Sequence, residues 1–89
     1  MTFDRETTLP PDQVLDRAVE FFGTRVPHHA AFPEKRGSAH LVLRGQGGEE
    51  IAITARATDT VTRVRASTLL FDHALDRFLS TLPPAGGES

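Results

Sequence analysis

Between Ala39 and Thr68, apolar side chains recur at every second position in three successive short runs. That period fits an extended chain with one buried face. The runs are Ala39–Arg44, Glu50–Ala57 and Val61–Ser67. In the first, Leu41 and Leu43 alternate with His40, Val42 and Arg44. In the second, Ile51, Ile53, Ala55 and Ala57 alternate with Ala52, Thr54, Arg56 and Thr58. In the third, Thr62, Val64 and Ala66 alternate with Val61, Arg63 and Arg65. Gly45-Gln46-Gly47-Gly48 supplies glycines for the first connection, where positive φ costs little. Thr58-Asp59-Thr60 makes a tighter second turn, because Asp bonds its own backbone two residues on. The product is an antiparallel meander with one oily face, and a second layer must cover that face.

The flanks supply the cover. Thr2–Thr8 reads as a further strand, with Phe3, Arg5 and Thr7 on one side and Thr2, Asp4 and Glu6 on the other. Leu9-Pro10-Pro11 ends it. Pro11 suits the first position of a helix, where a backbone N–H has no intrahelical partner, and Asp12 favours the positive end of the helix dipole. From Asp12 to Thr24 the stripe Leu15, Ala18, Val19 and Phe22 has helical spacing, and Gly23 suits its end. After the meander, Ser67 or Thr68 caps a second helix. It carries Leu70, Phe71, Ala74, Leu75, Phe78, Leu79 and Leu82 on its apolar side, and Pro83-Pro84 ends it. Residues 25–38 form a long connection broken by Pro27 and Pro33, either a flap or a hidden short strand around Ala30–Phe32. Phe32 is expected to tuck against the body, since burying it contributes roughly 1.5–3 kcal/mol.

The predicted fold is therefore α+β: a two-layer sandwich with a four-stranded antiparallel sheet in the element order β-α-β-β-β-α and both helices on one face. Pairing the first strand with the last gives strand order 1-4-3-2. It places Asp4 and Glu6 on the outer face beside Arg63 and Arg65, where opposite charges across strands are favourable. Residues 1–82 are read as one domain and 83–89 as a frayed tail.

Size and composition bound the rest. At 9.7 kDa the chain folds from about 14,000 Å² of accessible surface to roughly 5,100 Å², enough for one small core. Net charge −2 and a pI near 6.0 argue against a general polyanion binder, so nucleic acid is not the expected partner. Without cysteine, disulfides and thiolate zinc sites are excluded. There is no basic-then-apolar leader and no apolar run of membrane-spanning length, which gives the expectation of a cytoplasmic protein with no membrane role. Nine of the ten basic residues are Arg, a coding bias that points to a GC-rich bacterial genome.

The short opening strand Phe3–Thr8, the turn Leu9-Pro10-Pro11-Asp12-Gln13-Val14-Leu15 into a helix, and the closing helix Leu69–Leu82 resemble a shortened helix-grip domain. This is the START-related superfamily that includes polyketide-cyclase-like and lipid-transfer-like folds. The element order is also similar to half of a TBP-like domain. The helix-grip resemblance implies a small hydrophobic-ligand binder or cyclase-like enzyme. Its cavity would lie between the sheet and the second helix, gated by residues 25–38. The resemblance carries over no site residues; the ligand-binding candidates, taken from this chain alone, are Phe32, His40 and Phe71.

The residues themselves favour a binding surface over catalysis. His28, His29, His40 and His73 lack the converging partners a metal site requires, and His40 has no evident carboxylate partner for acid–base work. Neither a metal nor a cofactor is expected. The glycines at 45, 47 and 48 lack the following helix and Lys-Ser/Thr of a phosphate-cradling loop. Arg44, Arg56, Arg63 and Arg65 share the outer sheet face with His40, Val42, Ala52, Thr54 and Val61. Arg forks bind phosphates, but no Tyr or Trp is present to stack bases. Small and apolar residues between the arginines point instead to a packed partner. The expectation is a non-enzymatic interaction domain acting through its sheet surface or edge, as a homodimer or as the partner of another protein, with anion or RNA binding through the outer-face arginines as a further alternative.

Overall fold

A computed structural model describes residues 2–24, 31–45, 48–68 and 72–83. Its elements are β1 (Thr2–Thr7), α1 (Pro11–Thr24), β2 (Ala31–Arg36), β3 (His40–Gly45), β4 (Glu50–Ala57), β5 (Thr62–Thr68) and α2 (Asp72–Ser80). All strands join one antiparallel sheet in the order β1-β5-β4-β3-β2. The meander and the β1–β5 pairing are as the alternation requires.

The expected four-stranded sheet is corrected to five strands. The additional strand, β2, lies in the stretch read as a long connection, where a hidden short strand around Ala30–Phe32 is one of the two alternatives; the strand runs Ala31–Arg36. Only Ala31 of its six residues is buried, so the period-two signal is absent. Pro33 lacks the donor of a central strand, but β2 is an edge, where proline is tolerated. The ladder to β3 shifts between Pro33 and Lys35, leaving Glu34 in a bulge. Arg36 then ties the edge to the helical layer. Its Nη2 lies 2.7 Å from Asp16 Oδ1 and donates to the Asp12 carbonyl at 3.3 Å.

The core lies on one side of the sheet. Leu41, Leu43, Ile51, Ile53, Ala55, Val64 and Ala66 are no more than 1 % exposed. They pack with Val14, Leu15, Ala18, Phe21 and Phe22 of α1 and with Leu75, Phe78 and Leu79 of α2 in a single cluster. Phe21, Phe22 and Phe78 meet with ring centroids 5.2 to 5.7 Å apart, in the tilted and edge-on arrangements that aromatic quadrupoles favour. Each large apolar side chain withdrawn from water here contributes about 1.5–3 kcal/mol.

The ends of the elements follow local chemistry. Gln13 and Val14 N–H both donate to the Pro10 carbonyl at 3.1 Å, which fixes Pro11 as the first residue of α1. Gly48 takes φ +91°, the left-handed region in which a side chain would be strained. Thr58 closes the β4–β5 turn, its N–H donating to the Val61 carbonyl at 2.7 Å and its hydroxyl to the same carbonyl at 3.0 Å. The expected cap on α2 is corrected. Ser67 and Thr68 belong to β5, the Thr68 hydroxyl donates to the Glu50 carbonyl at 3.1 Å, and α2 starts at Asp72.

Candidate functional site

With both helices on one face, no described residue outside the sheet covers the other face, and strand register sets what it displays. One row across the sheet reads Thr2, Ser67, Ala52, Val42 and Lys35. The next reads Asp4, Arg65, Thr54 and His40, and the third Glu6, Arg63 and Arg56. Val42, Ala52 and Ser67 are half-buried, whereas Thr54, Arg56, Arg63 and Arg65 are exposed.

Charge on this face is arranged in pairs. Arg63 Nε donates to Glu6 Oε2 at 3.2 Å, and Arg65 Nε lies 3.2 Å from Asp4 Oδ1. These are the cross-strand partners the register of β1 and β5 dictates. Arg44 is held at the other end of the face. Its Nε and Nη2 both donate to Glu34 Oε1, at 3.2 and 2.7 Å. Nη2 also reaches Glu50 Oε1 at 3.4 Å, and Nη1 donates to the Gly48 carbonyl at 2.9 Å. The hydrogen bonds from Arg44 hold the Glu34 carboxyl below its usual pKa; desolvation opposes them, and the charges of Arg44 and Lys35 add to the lowering. The same contacts raise the Arg44 pKa. Arg44 thus fastens the bulge of β2 to the β3–β4 loop.

Arg56 differs from its neighbours. It stands directly opposite Arg63 in the β4–β5 ladder, and among the described residues it takes part in no ion pair. Arg56, Arg63 and Arg65 line a hollow of about 630 Å³ on the outer face, together with Asp4, Arg5, Glu6, Thr54, Thr58 and Val64. A second, smaller groove of about 340 Å³ runs between α1 and α2, lined by Arg17, Glu20, Phe21, Phe78 and Thr81. Neither lies between the sheet and α2, where Leu75, Phe78 and Leu79 fill the interface.

The residues read as ligand-binding candidates are not brought together. Phe32 pairs with Arg44 at one end of β3, and His40 begins that strand at the other. Phe32 is 53 % exposed, which corrects the expectation that it tucks into the body. Ala31 takes the inward position, and at a sheet edge only one neighbouring strand shelters Phe32. Its ring edge approaches α1 near Gly23, where a Cβ would sit 3.8 Å from Phe32 Cε1. The His40 ring lies over Gly37, whose missing side chain leaves it room; a Cβ there would come within 2.6 Å of His40 Nδ1. Phe71, His28 and His29 lie outside the described residues. Among the described residues no group of three or more histidine and carboxylate side chains is placed to hold a metal.

Of the arginine row, Arg56, Arg63 and Arg65 converge on one hollow and Arg44 does not. Sequence reasoning missed Arg5 as a lining residue. It occupies an inward register position, but β1 is an edge, and its Nη2 reaches Asp76 Oδ1 of α2 at 3.4 Å. No described helix is long and apolar enough to cross a membrane. Comparison with known protein families, with curated proteins and with solved structures finds no match for the chain.

Proposed function

We propose that this chain is a non-enzymatic binding domain of the cytoplasm that works through the open face of its sheet, with a second copy of itself as partner. The observation that carries the reading is a sheet face bare of cover among the described residues, with Ser67, Ala52 and Val42 half-buried across its middle. Small and apolar groups there lose little conformational freedom when a flat surface covers them.

The edges are poorer candidates. The β2 edge is blunted by Pro33, by the bulge and by the charges of Lys35 and Arg36, all devices that discourage strand addition. The β1 edge is regular, but its charges oppose self-pairing. Two antiparallel copies related by a two-fold axis at Arg5 set Arg5 against Arg5 and Asp4 against Glu6; an axis at Asp4 sets Asp4 against itself. Face-to-face packing has better complementarity. A two-fold axis crossing the strands level with Ile53 puts Ala52 of one copy over Thr54 of the other. It also brings Glu50, held only weakly by Arg44 at 3.4 Å, over the unpaired Arg56.

Sedimentation equilibrium across a concentration series tests this reading. The wild-type mass is expected to rise from 9.7 kDa toward twice that value. Ala52→Lys, which adds a charge on the open face without touching the core, is expected to stay at the monomer mass. A monomer at every concentration contradicts the proposal.

A further inference from the structure

We propose that the hollow lined by Arg56, Arg63 and Arg65 is a binding site for a compact oxyanion, a phosphate dianion either free or carried as a phosphomonoester. Three observations converge on it. Arg56 faces Arg63 directly across the β4–β5 ladder. Like charges so placed oppose folding, unless an anion bridges them. Glu6 and Asp4 engage Arg63 and Arg65 through Nε. That contact steadies each guanidinium while leaving its two terminal nitrogens available, and these are the donors that grip phosphate. The hollow, about 630 Å³, admits a phosphate group with its substituent.

The surroundings select the kind of anion. Asp4 and Glu6 stand on the β1 side of the hollow, where they oppose any anion; a compact one can keep to the Arg56 side, whereas a continuous polyanion laid across the face must pass over them. No residue lining the hollow is aromatic, so a base has nothing to stack on. A discrete, doubly charged group fits; a nucleic-acid strand does not. The site stands without self-association and competes with it, because in the face-to-face pairing Ala52 of a second copy covers Thr54 of the hollow and Glu50 is a rival oxyanion for Arg56.

Titration with inorganic phosphate, followed by amide and arginine side-chain NMR in protein dilute enough to be monomeric, tests the site against chloride at matched ionic strength. Saturable shifts centred on residues 56, 63 and 65 are expected. Arg56→Gln is expected to bind about tenfold more weakly and to raise the melting temperature in chloride, because it removes the facing charge. Glu50→Gln is expected to leave phosphate binding unchanged, which separates this site from the dimer. A second arm compares a phosphoserine peptide with its unphosphorylated form. Only the phosphorylated peptide is expected to move the same signals, and its affinity relative to inorganic phosphate tells which source the site prefers. The proposal is overturned by shifts that chloride reproduces, by an Arg56→Gln variant that binds as the wild type does, or by an oligothymidylate that binds more tightly than phosphate.

Discussion

Thr7 is polar and fully buried, and its single hydroxyl joins the two ends of the fold. The Leu9 N–H donates to Thr7 Oγ1 at 3.3 Å, and Oγ1 in turn donates to the Pro83 carbonyl at 2.6 Å. Thr7→Val keeps the shape and removes both part-buried hydrogen bonds, each with a net contribution of about 0.5–1.5 kcal/mol. A loss of that order is expected in urea unfolding, and a change below about 0.5 kcal/mol, typical of surface positions, would show that the bond does not hold the C-terminal segment. At this scale the sequence is a partial guide. The inward places of Leu41, Ile53 and Val64 follow from alternation alone. Phe32 does not, because its burial depends on an edge strand that alternation fails to reveal. Thr7 shows the same gap in reverse: a strand position explains its inward direction, while its partner lies at residue 83.

Elements with a repeating apolar pattern were legible, and those without one were not. The middle strands and α1 bury one face each, so periodicity marks them. β2 buries only Ala31 and is held by backbone pairing and by charge: Arg36 on α1, and Glu34 on Arg44. That attachment is sensitive to acid. The Glu34 pKa is lowered on folding from its usual 4.5. Its contribution is therefore complete above that value and is lost as the pH falls through the lower, folded-state value. Carboxyl NMR is expected to find Glu34 titrating below the ordinary glutamate value of 4.5. Protonation is expected to loosen the β2 amides to hydrogen exchange before those of β4. Glu34→Gln should abolish that step, and an ordinary Glu34 titration would show that the Arg44 fork does not hold the bulge in solution.

At the scale of the whole molecule, one side of the sheet faces two helices, and the other is uncovered among the described residues. The one-sided pattern was readable from the meander. The placement of Asp4 and Glu6 beside Arg65 and Arg63 was readable too, from pairing the first strand with the last; that Arg56 is left facing a like charge was not, because the β4–β5 register decides it. The central claim is that the uncovered face is the working surface. The most direct measurement is a map of backbone amide shifts as the protein is concentrated without added phosphate. Movement is expected at residues 42, 50, 52, 54, 56 and 67, with the amides of α1, α2 and the free edge of β1 unmoved. Shifts centred on the helices or on β1, or a spectrum that does not change with concentration, would contradict it.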